Sequence, residues 1–284
     1  MLIRLGYDIE FETLGDVPIV TLLNVHPSRE KDLREADELS TDPLIEVESY
    51  LDTFGNRTCR VLAPAGKIRF QNSTLIEDSG LPDEEGFDAP QIPVEKLPHE
   101  VLPYLMNSRY CEVDLLSSVA AELFWEAPAG WAKVQAVCAW VHNKVTFGYE
   151  FSSPVRTALG VYTERVGVCR DFQHLAITFC RALNIPARYA TGYLGDIGVP
   201  VSPSPMDFSA WFEVYLGDRW WTFDARHNVR RIGRVLMATG RDATDCAITT
   251  SFGRARLLNF RVVSDEVKST SPMAEVPQTA VPAV

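Results

Sequence analysis

The chain of 284 residues contains no apolar run long enough to cross a bilayer. Its opening, MLIRLGYDIEFE, is too polar for a secretory leader, so the expected compartment is the cytosol and no membrane partner is expected. Cations are in deficit: 27 Lys and Arg face 38 Asp and Glu, for a net charge of -11. Such a surface is poorly suited to neutralising phosphates, which argues against nucleic acid as a partner. Neither GxxxxGK[ST] nor GxGxxG occurs, and there is no EF-hand loop, so no cofactor is expected. Six cysteines (59, 111, 138, 169, 180 and 246) include no CxxC pair. Paired ligands are what a zinc site would want, so no metal is expected and the thiols read as free in a reducing compartment. Histidine is scarce, with five in the whole chain, so a reaction that needs an imidazole has few choices.

What remains is ordinary globular composition, 46% hydrophobic and 23% charged, enough for one large domain or two smaller ones. The first part reads as strands. LIRLGYDIEFE alternates, and VPIVTLLNVHP, LIEVESYLDTFGNRTCRVLAP and GKIRFQNSTLIED follow between turn residues. These suggest an antiparallel sandwich over residues 1–95. The text changes at SGLPDEEGFDAPQIPVEKLPHEVLP, which is rich in Pro and acid and reads as a linker or long surface connection. Helical patterns begin at Leu115–Phe124 and Trp131–Lys144. The second unit is expected over residues 100–265, with a flexible tail over 266–284.

One helix carries a chemical signal. From Cys169 to Asn184, Phe172, Leu175, Ala176, Phe179 and Leu183 fall on one stripe, with Gly167 before the start and Pro186 after the end. Cys169 sits in the first turn at the edge of that stripe. Unpaired N–H groups and the helix dipole favour negative charge there, so the thiol pKa is expected to fall below the ~8.5 of a free cysteine. The other five cysteines read as small buried hydrophobes.

A hairpin follows. SAWFEVYL and RWWTFDA are joined by Gly217-Asp218, a good two-residue turn. If Leu216 pairs with Arg219, then Ser209, Trp211 and Asp224 share one face. A histidine at 209 would reach Asp224 with one ring nitrogen and offer the other to a thiol, whereas serine is too short. Of the histidines, His227 is the best candidate base. It lies three residues after Asp224 and would need a turn at Ala225-Arg226 to face it. His174, about 140° round the helix from Cys169, is expected to face away from both the thiol and the stripe. His142 reads as packing, and His26 and His99 have no evident partner. The segment GVYTERVG before the cysteine is expected to wall the cleft.

Three stretches, WVHNKVTFGY, GVCRDFQHLAITFCRALNIPARYATGY and DFSAWFEVYLGDRWWTFDARHN, together resemble bacterial transglutaminase-like proteins. The resemblance implies an α+β fold: an antiparallel β-sandwich-like domain, then a papain/transglutaminase-like core whose nucleophile helix packs on an antiparallel sheet. It also implies a Cys-His-Asp triad in which Cys169 matches the nucleophile and Asp224 the acid. The place of the histidine holds Ser209. The activity implied is thiol acyl transfer through a Cys169 thioester on a peptide or glutamine amide, with hydrolysis favoured over amine transfer because nothing identifies an amine site. The candidate site is therefore Cys169, Asp224, His227 and Ser209, with Trp211 as a substrate contact and a polypeptide or amide as partner. The competing expectation is a binding module that has kept the cleft and lost turnover.

Overall fold

The computed structural model describes residues 1–267. Six strands come first: β1 (Leu2–Thr13), β2 (Val17–Thr21), β3 (Ser40–Asp42), β4 (Glu48–Leu51), β5 (Arg57–Ala63) and β6 (Gly66–Glu77). Helices α1 (Val113–Phe124) and α2 (Trp131–Lys144) follow, then the short strand β7 (Thr146–Phe147) and helix α3 (Ala158–Glu164). The short strand β8 (Val166–Gly167) leads into α4 (Cys169–Ala182). Strands β9 (Ala187–Leu194), β10 (Ser209–Leu216), β11 (Arg219–Phe223) and β12 (Arg234–Gly240) come next, and β13 (Thr249–Ser251) and β14 (Ala255–Glu266) close the described chain.

The sandwich is built from two antiparallel sheets, ordered β14-β1-β6-β3 and β13-β2-β5-β4. Its core follows from period-two alternation. Ile3, Leu5, Tyr7 and Ile9 of β1 point inward with Ile68 and Phe70 of β6, facing Ile19 and Val61 of the other sheet. Burying each large apolar side chain contributes roughly 1.5–3 kcal/mol.

The last strands of the expected second unit, residues 100–265, pair with the sandwich. Strand β14 pairs along β1, and β13 pairs with β2. Residues 249–266 therefore return to the sandwich, and sequence order alone could not reveal a pairing across some 250 residues. Of the expected tail over 266–284, Glu266 ends β14, and the residues from 268 onward lie outside the described part.

The third sheet, β11-β10-β9-β12, carries α4 on one face. Its other face meets the sandwich: Tyr193 of β9 and Val235 and Met237 of β12 join the first core. Every residue of β9 except Arg188 is buried, as a strand covered on both faces should be. The stretch expected as a linker is a strap over this unit. The Pro90 carbonyl accepts from Gly217 N–H (2.9 Å), and the Ala89 carbonyl accepts from Trp131 N–H (3.2 Å). No helix among the described residues is long and apolar enough to cross a membrane.

Helix α4 is buried all round, not on one stripe. Phe172, Leu175 and Phe179 are covered, and so are Asp171, Gln173, His174, Thr178 and Arg181. The sheet covers one side while α1, α2 and α3 pack against the rest. Buried polar groups must find partners or cost stability, and on α4 several of them bond neighbouring segments.

Candidate active site

Cys169 opens α4, with Val168 as the capping residue in extended conformation. The Asp171 carboxylate reaches back to accept from Val168 N–H (2.9 Å), which fixes the helix start. Against expectation, the Cys169 pKa lies above the ordinary thiol value. Burial pushes it up. The Arg226 guanidinium pulls it down, the Asp207 carboxylate adds to the rise, and N–H groups of Ala210 and Arg170 oppose it. Desolvation outweighs the favourable helix start, so the resting sulfur carries its proton.

The hairpin register is as expected. Leu216 pairs with Arg219 and Phe212 with Phe223. Gly217 supplies the positive φ of the turn, +66°. Beyond Phe223 the strand ends and Asp224 begins a single turn. Asp224 Oδ1 accepts from the N–H groups of Arg226 and His227 (3.0 Å each), and Asn228 N–H donates to the Asp224 carbonyl (2.8 Å). Asn228 ends the turn at φ +50°, a conformation asparagine tolerates. Asp224 thus acts as a cap, and the turn swings His227 back over it. His227 Nδ1 lies 2.8 Å from Asp224 Oδ2. An ionised carboxylate only accepts, so Nδ1 bears the hydrogen and Nε2 is left free to take a proton.

That carboxylate stays ionised. Burial raises its pKa, but the Arg234 guanidinium and the His227 bonds outweigh this and hold it far below the usual range. Two residues central here escaped the sequence reading. Gln173, four residues after Cys169 and fully buried, donates to Asp224 Oδ1 (3.2 Å) and accepts from Ala225 N–H (3.1 Å). A polar residue at i+4 from Cys169, on the face turned to the sheet, was the available signal. Arg234 donates to Asp224 Oδ2 (2.9 Å) and, through Nε, to Asp83 of the strap (2.9 Å). Its pairing with residue 83 had no local signature.

Cys169, Ser209, Arg226 and His227 line one cleft of about 240 Å³. Its far wall is the segment from Leu194 to Phe208, with Tyr149 at the rim; GVYTERVG, the expected wall, does not line it. Ser209 sits at the start of β10 opposite Gly192. Its hydroxyl bonds neither Asp224 nor Cys169. Trp211, expected as a substrate contact, does not line this cleft. It is 2% exposed and packs beside Gly192 and under the Arg234 guanidinium. A larger cavity of about 640 Å³ is lined by Asp224, Phe87 and Trp131, and neither Cys169 nor His227 lines it.

The remaining histidines are structural. His174 is fully buried, accepts from Ala243 N–H at Nε2 (3.1 Å) and stacks on Tyr110. Burial holds its pKa down to about 3. His142 is exposed, and its Nδ1 lies 2.8 Å from the Arg226 carbonyl, so it braces the 224–228 turn. His26 caps a short 3₁₀ segment, and His99 lies exposed in the strap.

The stretch that carries most of this cleft is similar to known proteins. The transglutaminase-like superfamily model matches residues 117–225, which takes in Cys169 and Asp224 and stops short of His227. A crystal structure from Cytophaga hutchinsonii, named "a Putative Cysteine Protease", is 31% identical, with 95% of this chain and 91% of that one covered and a TM-score of 0.81. The chain belongs to the transglutaminase-like superfamily. A Mycobacterium leprae relative, "Uncharacterized protein ML0607", is 29% identical over 117 residues, 40% of this chain and 42% of that one. The matched stretch thus spans less than half the length of this curated relative. As a superfamily member, the chain has the expected α+β architecture, with the nucleophile helix packed on an antiparallel sheet.

Proposed function

We propose that this superfamily member is a thiol acyl-transfer enzyme acting on an amide, with Cys169 as nucleophile and His227 as general base. The supporting observation is that Cys169 and His227 line one cleft while Asp224 holds the imidazole in the accepting tautomer. Asp224 orients the ring and offsets the charge it gains. Cys169 Sγ attacks the carbonyl carbon as its proton passes to His227 Nε2. The N–H groups at the helix start steady the oxyanion. The C–N bond then breaks, and His227 returns the proton to the leaving amine. Water, or a second amine, attacks the resulting thioester, gives its proton to His227 and frees the thiol. The name of the Cytophaga hutchinsonii protein favours water, a cysteine protease or amidase over a transglutaminase.

One observation favours a second reading, a binding module with an idle cleft: Ser209 stands where the family resemblance places a histidine. Incubation with p-nitrophenyl acetate separates the readings. The enzyme reading expects one acetyl group on the Cys169 peptide by mass spectrometry, with a burst of p-nitrophenolate that Cys169→Ala abolishes. An unmodified Cys169 peptide and no burst would favour the module.

A further inference from the structure

The cleft contains a cation that the proposed reaction does not use. Arg231 lines it together with Cys169 and His227, and its side chain is 6% exposed. A guanidinium buried this far should have its five N–H groups occupied. Among the described residues only Nη2 has an acceptor, donating to the Gly195 carbonyl (2.8 Å). The nearest carboxylate, that of Asp196, stands 3.9 Å away. Its other oxygen already accepts from Ser202 N–H (2.7 Å). Nε is buried, and neither it nor Nη1 has an acceptor among the described residues. Burial and the neighbouring Arg234 lower the Arg231 pKa, against a smaller pull upward from Asp196, Asp224 and Asp83. Arg226, the other cleft arginine, is engaged differently, with its guanidinium 3.8 Å from the centre of the Phe147 ring.

We propose that Arg231 forms a subsite for a carboxylate on the substrate, so that the preferred amide carries a free carboxyl group close to the scissile bond. This rests on the acyl-transfer reading of the same cleft. A planar carboxylate suits the guanidinium fork. Asp196 and Asp207 share the cleft and disfavour a more highly charged group such as phosphate. An acidic side chain or a chain-terminal carboxylate both meet the requirement.

The test uses paired alkylating probes: bromoacetyl derivatives of glycine, β-alanine and γ-aminobutyrate, each as the free acid and as the carboxamide. The Cys169 sulfur displaces bromide from each, forming the C–S bond as its own proton is lost. The rate with the carboxamide reports the thiol, and the acid-to-amide ratio reports the subsite, so the two readings fail separately. A charge-assisted hydrogen bond predicts that at one spacer length the acid labels the wild-type protein roughly tenfold faster. Arg231→Met should bring that ratio to near one, and Arg231→Lys should keep part of it. A wild-type ratio near one at all three lengths overturns the proposal without needing any variant to fold. So does a preference that survives in Arg231→Met.

Discussion

The outer faces of the sandwich and the surroundings of α4 treat charge in opposite ways. On the sandwich, arginines and carboxylates meet across neighbouring strands in water. Arg69 Nε pairs with Asp8 (2.7 Å), and Arg60 Nε with Glu48 (2.9 Å), both members of the latter pair being more than half exposed. Around α4, polar groups are taken out of water and bonded either within the helix or to another segment. Asp171 holds the helix start, Gln173 the Asp224 turn, and Arg181 the loops at 106–108 and 241. Exposed pairs contribute little to stability. Buried networks are costly to break and fix one geometry. The polar residues that shape the site are therefore the ones with least access to solvent.

Arg181→Met should show the contrast most strongly. Arg181 is 1% exposed and donates to the carbonyls of Ala187, Met106 and Arg241 and to Ser108 Oγ. Removing its donors leaves the buried Ala187 carbonyl unsatisfied, at about 1–3 kcal/mol, and loses bonds to three part-buried acceptors, at about 0.5–1.5 kcal/mol each. Urea unfolding should record a loss of about 3 kcal/mol or more. A loss below about 1 kcal/mol would mean that water replaces the guanidinium and that the buried network is not what holds these loops.

His174 brings pH into the comparison. Its folded pKa of about 3 lies below the ordinary 6.5. Between those values the unfolded chain binds a proton that the folded chain refuses. Its contribution is therefore complete above about pH 6.5 and drains away as pH falls toward 3. Thermal unfolding followed from pH 7 to pH 4.5 should show a falling Tm in the wild type. The fall should be shallower in His174→Gln, and equal slopes would place the acid sensitivity elsewhere. Arg60→Ala should change stability least, by less than about 1 kcal/mol in the same urea assay. A larger loss would erase the distinction between the two regions.

Much of this was legible in the sequence. The nucleophile helix was readable because an apolar stripe and a following proline bracket it. The hairpin was readable because a two-residue turn fixes its register. The family stretches gave Cys169 and Asp224. The return of β14 to β1 was not readable, since edge pairing across the whole chain leaves no local mark. The burial of His174 was missed because one stripe of apolar residues predicts one buried face, while α4 is enclosed by the sheet on one side and helices on the other. The rise in the Cys169 pKa was missed for the same reason: the helix start is visible in sequence, and the desolvation around it is not. The position of His227 was half visible. A turn was required, and Asp224 with Asn228 supplies its cap and its end.

The central claim is that Cys169 rests as a thiol and His227 takes its proton during attack. The rate of Cys169 acetylation by p-nitrophenyl acetate, measured from pH 6 to pH 10 in wild type and His227→Gln, tests it directly. At pH 7 the variant should be slower by roughly 10²–10⁴-fold, the usual size of general-base help. The two curves should converge at high pH, where the thiolate forms unaided. Curves that superimpose at every pH would contradict the claim and leave His227 as a structural neighbour of Asp224.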